Sequence, residues 1–236
     1  MKKRIWELDA FRGICVIGMV IVHLLYDLMN AYNIPALHNS GLFRFVIDWG
    51  GVLFLLLSGI CVTLGSHPIR RGLVVLAGGV LCSLVTWLMY KLEFAPKSLI
   101  IYFGVLHCLG VCMLLWPVFR ALPGWLLLLL GAALSALGLW WQLGRLAGSW
   151  YTMPLGLPPY GFASSDYFPL LPNLGYFLAG SGLGRLLYAS KVTLFPKVNV
   201  RNPLIAALTF CGRHALLIYL LHQPVITALL WLIAIF

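Results

Sequence analysis

The residues that could do chemistry crowd into one stretch, Glu7 to Asp48, which holds four of the chain's six acidic residues (Glu7, Asp9, Asp27 and Asp48) and two of its six histidines (His23 and His38). The first half of that stretch is also apolar enough to enter a bilayer. An ionisable group near the centre of a membrane helix costs roughly 2.5–3.5 kcal/mol on insertion scales, so a helix that carries several is expected to use them. At 3.6 residues per turn, Asp9, Arg12, His23 and Asp27 fall within about 60° of one another and form one polar stripe. Asp9 and Arg12 are spaced to pair near one end, and His23 and Asp27 sit one turn apart nearer the other. Such a stripe suits either a helix-end ion pair with a satisfied histidine or a cleft, basic at one end and lined by imidazole at the other.

Further on, His38 precedes Asp48 by ten residues. If Asp48 accepts a hydrogen bond from one imidazole nitrogen, the other is left basic and aimed, which is half of a general-base unit. His107, in FGVLHCLG, and His222, in LLIYLLHQP, lie within later apolar runs. Either suits packing against a backbone partner or lining the cleft as a substrate contact beside Asp27. Asn173 follows Pro169 and Pro172 in a proline-broken segment whose freed backbone groups must face something polar. His67 and His214 sit at the inner ends of their runs and read as interfacial. Four histidines would suffice in number for a metal, but no HxxxH or HExxH spacing occurs, and no metal is expected. The six cysteines read as small buried hydrophobes.

The elements that must position these groups are membrane helices. The chain has 236 residues, 62% hydrophobic and only 9% charged, against about 25% charged in soluble domains. The fold class expected is all-α, a polytopic membrane bundle forming a single domain over 1–236. Seven spans are predicted, at roughly 9–29, 43–65, 70–91, 98–119, 122–142, 167–188 and 212–235. With the N-terminus in the cytoplasm, only Arg44, Lys91, Lys97 and Arg145 of the sixteen lysines and arginines fall outside, which satisfies the positive-inside rule. The first span reads as an uncleaved anchor. The net charge of +10 is therefore a topology signal, and no nucleic-acid partner is expected. Gly180 and Gly184 are spaced for close helix approach. Residues 142–166, aromatic and nearly uncharged, suit an outer lid or substrate rim. The inner segment 189–211 is expected along the membrane surface. Arginines that end different spans on the inner side, Arg12, Arg185 and Arg213 among them, would hold phosphate if they converge.

ELDAFRG, the apolar run to His23, His38 with Asp48 and the WGGVLFLLLSG run resemble the catalytic domain of heparan-α-glucosaminide N-acetyltransferase and its bacterial relatives. FGVLHCLG, DYFPLLPNLGYFLAG and LLIYLLHQP resemble the same bacterial group, in order, over nearly the whole chain. A wider superfamily of membrane acyltransferases acting on envelope polysaccharides shares the R-G…H signature of the first span. The resemblance implies an enzyme of the bacterial cytoplasmic membrane that takes acetyl-CoA from the cytoplasm and delivers the acyl group to an amine or hydroxyl, a sugar or other small acceptor, on the outer side. Joined to it, the pattern of polar residues puts the cofactor mouth at Asp9, Arg12, Arg185 and Arg213, and the acceptor near Asp27, His107, Asn173 and His222. His38 falls where the family has its catalytic histidine, and Asp48 on the family's aspartate. His23 stands where the lysosomal enzyme has asparagine and the wider superfamily has its histidine, so two candidates for the base remain. The interval from His23 to His38 exceeds the lysosomal enzyme's, and the chain lacks several of its helices and its lumenal domain.

The competing class is a small proton-coupled transporter, since intramembrane His and Asp also build proton relays. No inverted repeat relates the two halves of the chain, which argues against it. An assembly partner without chemistry would leave the polar stripe unexplained. Exposed small-residue faces permit a homodimer.

Overall fold

The computed structural model describes residues 4–32 and 41–235. Eight helices follow in order: α1 (Trp6–Tyr32), α2 (Gly41–Leu64), α3 (Pro68–Lys91), α4 (Val105–Phe119), α5 (Gly124–Leu143), α6 (Leu170–Leu187), α7 (Pro203–Arg213) and α8 (Ala215–Ile235). Among the described residues there is no strand, only an isolated bridge between Phe103 and Tyr167. Five helices (α1, α2, α3, α5 and α8) are long and apolar enough to cross a membrane. With the all-helical fold, they make this an integral membrane protein.

Two expected spans are shorter as helices than the hydropathy pattern suggests. Residues 98–119 contribute only the 15 residues of α4, because Lys97–Leu99 form a 3₁₀ turn and the chain stays extended until Gly104. That approach is tied to the segment before α6 by serine side chains. Ser164 Oγ donates to the Ile100 carbonyl at 2.9 Å, and Ser165 Oγ to that of Leu99 at 2.7 Å. Residues 167–188 contribute 18, starting after Pro169 and with a non-helical Leu171 in the first turn. The region 189–211 is partly helical: Asn202 caps α7 by accepting from the Leu204 N–H at 2.9 Å, and Pro203 starts it.

The chain divides into two compact units, residues 1–54 with 190–236 and residues 55–189, and the division falls inside α2. In the first unit α1 packs on α7 and α8. The contact with α7 is backbone to backbone: a Cβ on Gly13 would collide with the Leu208 carbonyl, and one on Gly212 with that of Asp9. Glu7 fixes the chain approaching α7, accepting from Thr193 Oγ1 and from the Leu194 N–H, each at 2.8 Å. Trp6 meets Phe195 edge to face.

The second unit packs α3 on α4 and α6 on α5. Gly180 and Gly184 bring α6 against Leu56 and Ile60 of α2, as the small-residue spacing predicts, while Gly175 and Gly182 face α5. Where lipid gives no hydrophobic drive between helices, this close approach supplies the dispersion contacts that hold them.

Candidate active site

At one end of α1 three guanidiniums gather on one carboxylate. Arg12 Nη1 lies 3.4 Å from Asp9 Oδ1, and Arg213 Nε and Arg4 Nη1 each lie 3.8 Å from Oδ2. The Asp9 side chain is 13% exposed, those of Arg213 and Arg4 47% and 70%. Arg213 arrives because α7 ends there, its helix seated on α1 through Gly212. Among these four groups one negative charge meets three positive ones, an excess of cation that reaches the surface and attracts anions. Arg185 belongs to the other unit. Its guanidinium donates to the carbonyls of Leu122, at 2.7 Å, and Arg120, and lies over the Trp116 ring. There it closes the connection between α4 and α5.

Fourteen residues further along α1, about 21 Å at helical rise, stands a second polar cluster. His23 and Asp27 share one face of α1, and His222 and Gln223 of α8 meet them. The imidazoles of His23 and His222 are edge to face with centroids 4.9 Å apart. Gln223 Nε2 donates to Asp27 Oδ2 at 2.7 Å. His23 Nδ1 lies 2.9 Å from the Met19 carbonyl, and His222 Nδ1 lies 2.6 Å from that of Tyr219. A carbonyl oxygen only accepts, so each Nδ1 carries a hydrogen, and each ring in its neutral form presents its lone pair at Nε2. His23 is exposed and His222 half-buried, so the pair can be reached. Pro224 follows inside α8 and has no N–H, which removes the helical donor from the Leu220 carbonyl.

The remaining candidates lie elsewhere. Asp48 is on α2 with an exposed side chain, two residues past Val46, which faces Gly18 of α1. His38 lies outside the described residues. His107 is buried in the second unit with both ring nitrogens engaged. Nδ1 accepts from the Gly104 N–H at 3.2 Å, and Nε2 lies 3.3 Å from Ser83 Oγ, which in turn donates to the Ile101 carbonyl at 2.6 Å. Asn173 donates to the Pro169 carbonyl at 2.8 Å. Asp166, to which the sequence pattern assigned no role, accepts from the Val105 N–H at 3.1 Å and so caps α4 from outside. On the same unit, the 144–169 connection stacks Trp150 and Phe162 with Tyr102, beside an open groove lined by Trp141, Gln142, Arg145 and Tyr160.

The sequence model of the family described as heparan-alpha-glucosaminide N-acetyltransferase, catalytic, matches residues 4–224. The chain belongs to that family. The match runs through both compact units and takes in both polar clusters of α1. No curated protein and no solved structure matches the chain. Membership makes it a membrane acetyltransferase-family protein, in a family whose general donor is acetyl-CoA.

Gln223 is the member of the cluster that motif and spacing do not single out. It directly follows His222, a carboxamide in an otherwise apolar helix, and that polarity is the signal the sequence carries. Thr193 gave no signal, because its contact with Glu7 joins residues 186 apart in sequence.

Proposed function

We propose that the protein transfers an acetyl group from cytoplasmic acetyl-CoA to an amine or hydroxyl acceptor, a small sugar, presented at the outer side of a bacterial cytoplasmic membrane. The observation that carries this is the His23–His222 pair, with both Nε2 lone pairs free of their rings' hydrogens, in a chain matched over residues 4–224 by an acetyltransferase family. In this reading α4 and α6 complete seven spans and the N-terminus is cytoplasmic. The arginines around Asp9 then face the compartment that holds CoA, and its diphosphate binds Arg12 and Arg213. The flexible arm of the cofactor runs along α1 toward the imidazoles.

The acceptor nitrogen or oxygen attacks the thioester carbonyl. A new C–N or C–O bond forms, the C–S bond breaks, and the sulfur leaves as CoA thiolate. The proton lost by the acceptor passes to a histidine Nε2 and from there to the thiolate, so free CoA is released with a neutral product. Base assistance of this kind is worth about 10²–10⁴-fold. His23 has the surroundings for the task, with its tautomer fixed by Met19. His38 carries the correspondence with the family's histidine. Asp27 and His222 contact the acceptor. For His107 or Asn173 to do the same, each would exchange an internal hydrogen bond for one to substrate.

Parallel His23→Ala and His38→Ala variants assign the base. The base variant is expected to lose about 10²–10⁴-fold in kcat for CoA release with acetyl-CoA affinity retained. Full turnover in both would refute the assignment. The polar stripe would also suit a proton-coupled carrier, and acceptor-dependent CoA release separates the two readings.

A further inference from the structure

We infer that Gln223 is the residue that reads the acceptor, holding an N–H of a primary amine on its carboxamide oxygen. The inference rests on the acyl-transfer reading of the same cluster. Within the α1–α8 contact, Gln223 Oε1 is shielded from solvent and has no hydrogen-bond partner among the described residues. A buried amide oxygen without a donor costs about 1–3 kcal/mol, so it is expected where a donor arrives with a ligand. The carboxamide cannot be turned over to remove the problem. Its Nε2 donates to Asp27 Oδ2 at 2.7 Å, and reversal would set oxygen against carboxylate.

The rest of the cluster has the same polarity. His23 and His222 commit their Nδ1 hydrogens to Met19 and Tyr219, so both offer lone pairs. Asp27 is an acceptor with one oxygen already supplied by Gln223. Two imidazole Nε2 lone pairs and one orphan amide oxygen thus give the cluster acceptors to offer a ligand. A hydroxyl has one hydrogen, and the base takes it during the reaction. A primary amine has at least two, so it can give one to the base and hold another on Gln223 Oε1 throughout. A site built around such an unpaired acceptor rejects a ligand that cannot supply the donor. Gln223 therefore favours amine over hydroxyl acceptors, and the Asp27 clamp keeps its oxygen turned to the ligand.

The test uses the full chain in phospholipid nanodiscs, with glucosamine and glucose as probes that differ in an amine or a hydroxyl at one carbon. Binding of each is measured by calorimetry, beside CoA release from acetyl-CoA. Gln223→Met keeps the size and removes the oxygen. Gln223→Glu combined with Asp27→Asn lets the new carboxamide at 27 donate to the carboxylate at 223, which keeps the clamp and leaves an oxygen for the ligand. Wild-type protein is expected to bind glucosamine at least tenfold tighter than glucose. Gln223→Met is expected to lose about tenfold in glucosamine affinity with acetyl-CoA affinity unchanged, and Gln223→Glu with Asp27→Asn to stay within threefold of wild type. Unchanged glucosamine affinity in Gln223→Met overturns the inference. So does equal loss in both variants, or a Gln223→Met loss shared by acetyl-CoA, because the oxygen would then serve the fold. Absence of amine preference in the wild type overturns it too. Glucosamine binding that depends on Gln223 without CoA release would leave the inference standing and refute the acyl-transfer reading. CoA release indifferent to Gln223→Met would do the reverse.

Discussion

At the scale of single residues, charge and tautomer decide what each group can do. Asp9 is surrounded by three guanidiniums and neutralises one. Arg213, half-exposed at the end of α7, is then available for a phosphate oxygen. Arg213→Ala is expected to raise KM for acetyl-CoA roughly tenfold with kcat nearly unchanged, the pattern of lost uniform binding, as initial rates of CoA release will show. The same KM should rise with salt, because the site reaches solvent. Spacing on α1 alone placed Asp9 beside Arg12 and His23 near Asp27, since both pairs obey helical periodicity. It could not supply Arg213, His222 or Gln223, which arrive from helices about 200 residues away. Nor could it show that both ring nitrogens of His107 are occupied, because Ser83 and Gly104 reach them only through tertiary packing.

At the scale of elements, backbone contact positions the clusters. Gly212 and Gly13 let α7 lie directly on α1, and this contact carries Arg213 to Asp9. Gly212→Val places two methyl groups against the Asp9 carbonyl. It is expected to cost about 1–3 kcal/mol, read as a lower Tm, and to weaken acetyl-CoA binding along with it. Asp166→Ala acts on another element. It leaves the Val105 N–H of α4 without its carboxylate, so stability falls by about 1 kcal/mol while the acceptor KM holds. Helix identity was legible from apolar run length for α1, α2, α3, α5 and α8. The starts of α4 and α6 were not, because residues 97–104 and 162–169 are kept out of α-helix by serine and aspartate contacts between them, and those contacts lie about 60 residues apart in sequence. Residues 189–211 carry Lys191, Lys197 and Arg201 and one short apolar run from Pro203 to Phe210, and α7 begins with that run. Its anchor on Glu7 had no local pattern to announce it.

At the scale of the whole molecule, the twin clusters of α1 give the chain a direction. Basic groups at the start of α1 and imidazoles about 21 Å along it suit a donor that enters from one face of the membrane and an acceptor that enters from the other. Single cysteines placed at Lys197 and Arg145, in a chain whose six native cysteines are replaced by alanine or serine, should label from the cytoplasmic and outer faces respectively. The opposite pattern would invert the topology. The most direct measurement of the central claim is glucosamine-dependent CoA release from acetyl-CoA by the reconstituted protein, with His23→Ala and His38→Ala beside the wild type. The account predicts release above protein-free vesicles and a loss of at least 10²-fold in one of the two variants. Release that never exceeds the protein-free level, with glucosamine or any other amine or sugar offered, would contradict it.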